Sequence, residues 1–240
     1  MIIAKGGGNM GKNLDGSWYI NGQLDFDKKL IEYRYRTLKN FIKPSFGLEL
    51  GPAEGEMTKF LVEHFAKLVS VDGSKELLNM IPNYKNHAKV HSLFEDFATD
   101  EKFDTILMEH ILEHVDNPVK LLQMAMNWLK DDGVILLGVP NANSIHRQAA
   151  VKMGLLNHVC QLNDRDMALG HRRVYTFKSL KEDILVSGLK VVETGGVYFK
   201  PLSNQQMEAN WSDLMIEGFF ELGKDYPDLC AEIYAVCRKK

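Results

Sequence analysis

The segment Leu48-Glu49-Leu50-Gly51-Pro52-Ala53-Glu54-Gly55 carries the end of a short apolar strand, a turn of small residues and the start of a helix. The pattern predicts the strand at residues 46–50 and the helix at residues 54–65, where apolar side chains recur at helical spacing. Small residues in such a turn let backbone N–H groups approach a ligand closely. We therefore predict a ligand site at the carboxyl end of this strand.

Strands and helices alternate along most of the chain around this segment. An N-cap at Asn117 followed by Pro118 marks one helix start, and Gly133 is predicted to end that unit. Alternation of this kind predicts an α/β domain with a parallel sheet and helices on both faces. The further predicted strands are residues 68–71, 89–93, 103–108, 134–139, 189–192 and 231–236, and the further helices are residues 26–42, 74–80, 118–129 and 176–186.

The composition excludes several classes of protein. The 240 residues are 45% hydrophobic and 25% charged, which is typical of a soluble globular protein. A net charge of −3 supplies no broad basic field for nucleic acid or an anionic membrane. The longest strongly apolar run, residues 134–139, is far too short to cross a bilayer. Cys160, Cys230 and Cys237 form no CxxC pair, so we expect neither a disulfide framework nor a cysteine zinc site and predict a cytoplasmic protein.

One domain is expected to account for most of the chain. Residues 1–25, which include three consecutive glycines, are predicted to form a flexible arm, and residues 26–240 a single domain. The strand–helix pattern is interrupted at residues 141–175 and 201–225, and we predict that these insertions form a lid over a second ligand. A monomer or a homodimer is expected.

An acidic residue marks the end of the second predicted strand. Asp72 can accept hydrogen bonds from both hydroxyls of a ribose, so we predict a ligand that contains a nucleoside. A dinucleotide fold needs G-x-G-x-x-G, but Ala53 and Glu56 occupy the second and third glycine positions. Glu54 and Glu56 would repel a pyrophosphate and favour a ligand with an ammonium or a sulfonium. The alternative is an ordinary turn in which the two glutamates stabilise the helix start.

Several segments, in this order, resemble the class I S-adenosylmethionine-dependent methyltransferases. Residues 110–118 resemble the "LEHV.dP" stretch of the subgroup that includes ubiquinone-pathway and natural-product tailoring methyltransferases. The resemblance covers about residues 30–195. It implies a Rossmann-like, doubly wound sheet of seven strands, mainly parallel, with an antiparallel last strand at residues 231–236. The other segments are residues 48–55, 71–72, 103–106 and 129–134.

The resemblance implies S-adenosylmethionine as the cofactor and S-adenosylhomocysteine as its product. The backbone around Ala53 would face the methionine part, Glu49 would bind its ammonium, and Asp72 would hold the ribose. His110 would lie beside the sulfonium. Arg36 is assigned to the methionine carboxylate, and the alternative is an ordinary surface arginine. The other implied cofactor residues are Gly51, Gly55, Gly73, Phe94 and Glu95.

The histidines after the fourth predicted strand raise the question of a metal. Glu109-His110 and Glu113-His114 repeat at a spacing of four, which places like residues on one face of a helix. The helical zinc motif HExxH has its acid directly after the first histidine, whereas here each acid precedes a histidine and no third ligand is evident. We therefore predict no metal. His110 is a site candidate, and His114 is expected to pack locally.

The insertion at residues 141–175 is locally basic. Arginine holds a carboxylate or phosphate in a bidentate fork, so an anionic acceptor is predicted here. Residues 170–176 resemble the "gH.r.yt" entry to a late helix that borders the acceptor pocket of related methyltransferases, which favours His171 and Arg173. The alternative is a solvated, salt-bridged lid face. The other arginines of this segment are Arg147, Arg165 and Arg172.

The predicted reaction is methyl transfer to a small molecule or a peptide natural product. A carboxylate is the preferred acceptor, a peptide C-terminus included, and it needs no base. A hydroxyl or amine of a sugar or another metabolite is the alternative, and His110 or His171 would then take its proton with a pKa near ~6.5. A non-catalytic nucleoside-binding module is a further alternative, which a closed acceptor pocket would count against.

Overall fold

The computed structural model of the protein describes residues 25–240, in which seven strands form one sheet. The arm predicted at residues 1–25 lies outside the described residues, apart from Asp25. The strands are β1 (Phe46–Leu50), β2 (Lys67–Asp72), β3 (His87–His91), β4 (Phe103–Glu109), β5 (Leu129–Pro140), β6 (Leu189–Val197) and β7 (Glu232–Lys239).

Helices alternate with the strands as predicted, and four of them lie in the two insertions. The helices are α1 (Phe26–Leu38), α2 (Thr58–His64), α3 (Lys75–Met80), α4 (Pro118–Trp128), α5 (Ile145–Lys152), α6 (Asp164–Ala168), α7 (Phe177–Ser187), α8 (Asn204–Asn210) and α9 (Asp213–Leu222). Within residues 25–240, no helix combines the length and apolar character that a bilayer span requires.

The strand order is β3-β2-β1-β4-β5-β7-β6. Strands β1 to β5 pair in parallel, whereas β7 is antiparallel to both β5 and β6, which confirms the predicted sheet. Parallel strands end at a common edge of the sheet. Because β7 runs the other way, its first residue, Glu232, lies opposite Pro140 at that same edge. The sheet therefore brings the ends of β1, β2, β4 and β5 and the start of β7 together.

Helices cover both faces of the sheet. Leu121, Leu122 and Ala125 of α4 join Leu180 of α7 in the core on one face. On the other face, Leu38 of α1 and Leu61 of α2 pack against Leu68, Leu107 and Leu136 of the sheet. Fully burying such a side chain contributes roughly 1.5–3 kcal/mol.

A third cluster joins α1 to the insertion at residues 201–225. Tyr33 of α1 stacks on Phe220 of α9 with ring centroids 4.1 Å apart, and Phe26 meets the ring of Tyr198 edge-on at 4.9 Å. Met207 of α8 is fully buried in the same cluster. Residues 201–225 thus hold α1 in place from its outer side.

Several element boundaries differ from the prediction, and two of the differences have a clear local cause. Helix α2 begins at Thr58 rather than at residue 54, because Ala53 (φ 49°) and Gly55 (φ 89°) adopt left-handed backbone angles that cannot continue a helix. Strand β5 begins at Leu129, directly after α4, so Gly133 lies inside a strand instead of ending a helical unit. Phe103 pairs with Leu129 across an irregular register that admits these extra strand residues.

Candidate functional site

A cavity of about 370 Å³ lies at the carboxyl edge of the sheet. Its lining combines the glycine turn after β1 with Arg34 of α1, His146 of α5 and Lys200 after β6. Residues of the insertion at 141–175 line the cavity. No described residue from 201 to 225 lines this cavity, and the place of the second insertion in a lid stays a prediction.

The backbone conformation of the glycine turn is fixed by its surroundings. Gly51 has φ 67°, and a side chain there would collide with Cδ1 of Ile111. Its N–H donates to the carbonyl of Val71 at 2.9 Å, which ties the turn to β2. Gly51 and Ala53 line the cavity, whereas Gly55 faces Ile81 instead. The turn therefore presents backbone to a ligand, as the sequence predicted.

Glu49 lines the same cavity from the end of β1 and is 3% exposed. Its Oε2 accepts hydrogen bonds from the hydroxyls of Thr58 (2.8 Å) and Ser70 (2.6 Å). Burial raises the pKa of Glu49 to about 7, although these two hydrogen bonds oppose the shift. A cationic group in the cavity would favour its ionised form.

Only one of the four residues predicted to hold the nucleoside part of the cofactor lines the cavity. The ring of Phe94 lines it, whereas Asp72, Gly73 and Glu95 do not. The Asp72 carboxylate is buried at the end of β2 and accepts a hydrogen bond from the Ser74 N–H at 2.7 Å. The ribose and adenine roles of these residues stay predictions.

Buried charges surround His110, which follows β4 and has φ 55°. Its Nδ1 lies 3.0 Å from Glu113 and its Nε2 lies 3.1 Å from Glu232, whose other oxygen lies 3.1 Å from Nε of Arg34. Burial and Arg34 lower the pKa of His110, but Glu232 and Glu113 outweigh them and raise it to about 9. This pKa favours an imidazolium near neutral pH, which is a poor base. The alternative role of His110 as a base stays a prediction that this geometry does not favour.

Glu109 is the last residue of β4 and faces Gly138 on β5. A side chain at Gly138 would collide with Oε2 of Glu109 and lie 2.8 Å from its Oε1, so the glycine makes room for the carboxylate. Burial raises the pKa of Glu109 to about 7, and the nearby cations Arg34 and His110 only partly oppose this. Glu109 lines the cavity.

The arginines of the first insertion are largely occupied by the protein itself. Arg147 is buried, donates to the carbonyls of Val159 and Gln161, and pairs with Asp166 at 2.9 Å. Arg173 donates to the carbonyls of Leu112 (2.8 Å) and Val115 (2.6 Å).

Only part of this arginine set reaches the cavity. Arg172 pairs with Asp116 at 2.6 Å, and neither Arg172 nor Arg173 lines the cavity, which corrects the acceptor role predicted for Arg173. Arg165 does line it and pairs with Asp27 of α1 at 2.8 Å.

Arg36 faces away from the cavity. Its guanidinium forms a bidentate pair with Glu217 of α9 (2.8 and 2.5 Å) and lies over the ring of Phe220. Arg36 does not line the cavity, so this geometry does not support its predicted contact with a cofactor carboxylate. Arg34, two residues earlier on the opposite side of α1, is the arginine that lines the cavity.

His171 lies beside Glu113 and His114, two residues of the motif considered for a metal. Glu113, His114 and His171 bring one ligand atom each to within 4.8 Å of one another, so the sequence argument that no third ligand exists is wrong. Glu113 is already paired with His110, and His171 lies 3.4 Å from Asp166. The absence of a metal stays a prediction. Burial lowers the pKa of His114 to about 4, so that imidazole is neutral near pH 7.

Comparison with protein families identifies the family to which the chain belongs. Residues 23–194 match the family described as "Methyltransferase domain", which is well over half of the chain. The chain belongs to this family. The predictions of a methyltransferase, and of S-adenosylmethionine as its cofactor, are confirmed at the level of the family.

Curated relatives of the methyltransferase come from bacteria and archaea. An uncharacterized protein of Methanocaldococcus jannaschii is 32% identical over 122 residues, which cover 50% of this chain and 57% of the relative. The chain thus spans little more than half the length of that relative. A ubiquinone biosynthesis O-methyltransferase of Coxiella burnetii is 22% identical over 185 residues, which cover 73% of this chain and 76% of the relative.

Solved structures share the fold of the methyltransferase. The plantazolicin methyltransferase BpumL, in complex with a monoazolic desmethylPZN analog and SAH, superposes with a TM-score of 0.60 at 16% identity. The match covers 94% of this chain and 89% of that chain. At this identity the likeness concerns the fold alone.

Several charged residues that line the cavity were not predicted as site residues, among them Arg34, Glu109, Lys200 and Glu232. Glu109 was read only as part of a histidine motif, although its place at the end of β4 was a usable signal. Glu232 begins β7, and the antiparallel last strand implies that this start lies at the ligand edge. Arg34 shares a helix face with Leu30 and Ile31, which also line the cavity.

Proposed function

We propose that the protein transfers a methyl group from S-adenosylmethionine to a small molecule or a peptide natural product held in the cavity. The observation that carries this proposal is the single cavity that joins the glycine turn to the charged residues around His110. A pure nucleoside-binding module needs no second compartment. Residues of the insertion at 141–175 line the cavity, which counts against such a module and supports their role as a lid.

The methionine part of the cofactor is assigned to the glycine turn and Glu49. The backbone at Gly51 and Ala53 faces the cavity, and the Glu49 carboxylate suits an ammonium. Phe94 and Leu77 offer apolar walls for the adenine, and Asp72 is retained for the ribose hydroxyls. Glu54 and Glu56, which also line the cavity, add negative charge that suits a sulfonium ligand.

The motif at residues 110–118 and the O-methyltransferase relative support membership of the subgroup that contains ubiquinone-pathway enzymes. A natural-product acceptor is proposed from the resemblance of residues 110–118, since the likeness to the plantazolicin methyltransferase concerns the fold. A cytoplasmic protein that binds no nucleic acid, either monomeric or homodimeric, remains our expectation from the sequence.

The geometry of the cavity changes which acceptor group we prefer. The sequence favoured a carboxylate because of its arginines, but Arg147 and Arg173 are bound to loop carbonyls. Arg34, Arg165 and Lys200 do line the cavity, and they keep an anionic acceptor as a candidate. Because buried carboxylates surround His110, the geometry favours the alternative, an acceptor hydroxyl or amine.

The protein contributes alignment and exclusion of water, since the sulfonium carries its own activation. The test is an acceptor screen in which the purified protein is incubated with S-adenosylmethionine and matched hydroxyl, amine and carboxylate compounds. Mass spectrometry should reveal a product heavier by one methylene, about 14 Da. A chain that binds the cofactor but methylates no member of a broad panel would favour the binding module instead.

A further inference from the structure

The carboxylate of Glu109 lies in a niche that Gly138 keeps open. Residue 138 pairs with Glu109 across β4 and β5, and any side chain on it would overlap the carboxylate, whose Cδ lies 2.7 Å from the Cβ position. The peptide N–H of His110 donates to the Gly138 carbonyl at 2.9 Å, which fixes the backbone on both sides of the niche. The carboxylate is therefore held in position without a side-chain partner.

Charged groups on three sides face this carboxylate. Arg34 lies on α1, Glu232 on β7, and His110 and Glu113 follow β4. The two cations are already committed, because His110 contacts Glu113 and Glu232 while Arg34 contacts Glu232.

Glu109 differs from Glu113 and Glu232 in its ion pairing, because each of those two carboxylates pairs with His110. Within residues 25–240, both of its oxygens are buried and have neither a hydrogen-bond donor nor an ion pair. A buried carboxylate without a donor is costly, and structures retain such groups where they act on a ligand.

Three histidines that line the cavity, His110, His114 and His146, are poorly suited to take a proton. His110 is already protonated near neutral pH because its pKa is raised to about 9. Burial lowers the pKa of His114 to about 4 and that of His146 to about 3, so neither imidazole holds a proton well. Glu109, with a pKa of about 7, lies near the value that favours general base catalysis.

We infer that Glu109 is the general base that takes the proton from a hydroxyl or ammonium acceptor, an inference that rests on the proposed function. The acceptor oxygen or nitrogen forms a bond to the donated methyl carbon. The bond from that carbon to sulfur breaks, and its electron pair stays on sulfur. The acceptor proton passes to a carboxylate oxygen of Glu109, which later releases it to water. Arg34 and the imidazolium of His110 then face a neutral carboxyl group.

The test compares the pH dependence of kcat/KM in the wild type and in Glu109→Gln, with the acceptor identified by the screen. The wild type should show a limb that rises with pH through about 7, as Glu109 loses its proton. Glu109→Gln should lose this limb and fall in kcat by roughly 10²–10⁴-fold. Asp104→Asn, at the opposite end of the same strand, should keep both the limb and the rate.

Further measurements distinguish a catalytic role of Glu109 from a purely structural one. Glu109→Asp should retain the limb with a lower kcat. The rate deficit of Glu109→Gln should shrink for an acceptor analogue that carries fluorine beside the reacting group, because such an analogue ionises more readily. Calorimetry should give Glu109→Gln the wild-type affinity for S-adenosylhomocysteine, and circular dichroism should give it the wild-type spectrum.

Two results would overturn the inference while leaving the proposed function intact. One is an unchanged pH limb in Glu109→Gln, and the other is a screen in which only carboxylates are methylated. Failure of the wild type to bind S-adenosylmethionine would instead overturn the proposed function itself.

Discussion

Nε2 of His110 lies 3.1 Å from Oε1 of Glu232, so the residue after β4 and the first residue of β7 form an ion pair across the edge of the sheet. The last strand therefore contributes directly to the site. Glu232 also contacts Arg34 of α1, and a single carboxylate thus connects the sheet to the helix above the cavity.

Removing that carboxylate should lower stability in a pH-dependent way. Glu232→Gln leaves two partly buried cations, Arg34 and His110, without their shared anion, and we expect a loss of about 3 kcal/mol in the free energy of unfolding at pH 6.5. The folded-state pKa of His110, about 9, exceeds its ordinary value of 6.5. The stabilisation that comes from the pair of His110 with Glu232 is therefore fully present below about pH 6.5 and disappears as the pH rises through about 9.

Urea unfolding at pH 6.5 and pH 9.5 measures this effect. The gap between wild type and Glu232→Gln should narrow at the higher pH. Glu101→Gln, which breaks an exposed pair with Lys67, should change the stability by at most ~1 kcal/mol at either pH. An equal gap at both pH values would show that His110 does not titrate as described.

Gly138→Ala should disturb the niche of Glu109. The added methyl group overlaps the carboxylate, so the unfolding free energy should fall by roughly 1–3 kcal/mol and the methyl-transfer rate should drop. Gly218→Ala on α9, where nothing lies within 4 Å of the new methyl group, should be neutral or slightly stabilising. Equal thermal melting curves for the two variants would refute the close approach of Glu109 to Gly138.

Arg147→Ala should act on the acceptor rather than on the cofactor. Arg147 holds the carbonyls of Val159 and Gln161 and the carboxylate of Asp166, so its loss should loosen the loop between α5 and α6. We expect kcat/KM for the acceptor to fall by roughly 10–100-fold, with an unchanged affinity for S-adenosylhomocysteine.

Arg172→Ala is the control for this prediction. Arg172 contacts Asp116 outside the cavity and should leave steady-state kinetics unaltered. The same kinetics in Arg147→Ala as in the wild type would mean that the loop does not shape the acceptor pocket.

Asp72→Ala should weaken binding of S-adenosylmethionine by about 1–3 kcal/mol, because hydrogen bonds from the ribose to a charged acceptor are lost. The Asp72 carboxylate also accepts from the Ser74 N–H at the start of α3, so thermal melting must accompany the titration. A folded variant with the wild-type dissociation constant would remove Asp72 from the cofactor site.

The sequence predicted those parts of the molecule that depend on local pattern. The turn at Gly51, the N-cap at Asn117 and the alternation of strands and helices follow from periodicity and backbone chemistry, and the structure contains all of them. The antiparallel last strand was implied by the family resemblance. The ionisation of His110 could not be predicted from the sequence, because it depends on Glu232, which is more than a hundred residues away in the chain.

The arginines were misjudged for a related reason. An arginine that binds loop carbonyls, as Arg173 binds those of Leu112 and Val115, has the same sequence appearance as one that awaits a ligand. Likewise, Arg34 and Arg36 lie on one helix, and only the packing of α9, whose Glu217 pairs with Arg36, decides which of them faces the cavity.

Isothermal titration of the wild-type protein with S-adenosylmethionine, S-adenosylhomocysteine and NADH tests the central claim most directly. We predict one site for each sulfur ligand, competition between the two, and no heat with NADH. Gly51→Val should abolish both signals, because φ 67° and the contact with Ile111 exclude a branched side chain. Saturable binding of NADH without binding of S-adenosylmethionine would contradict the account.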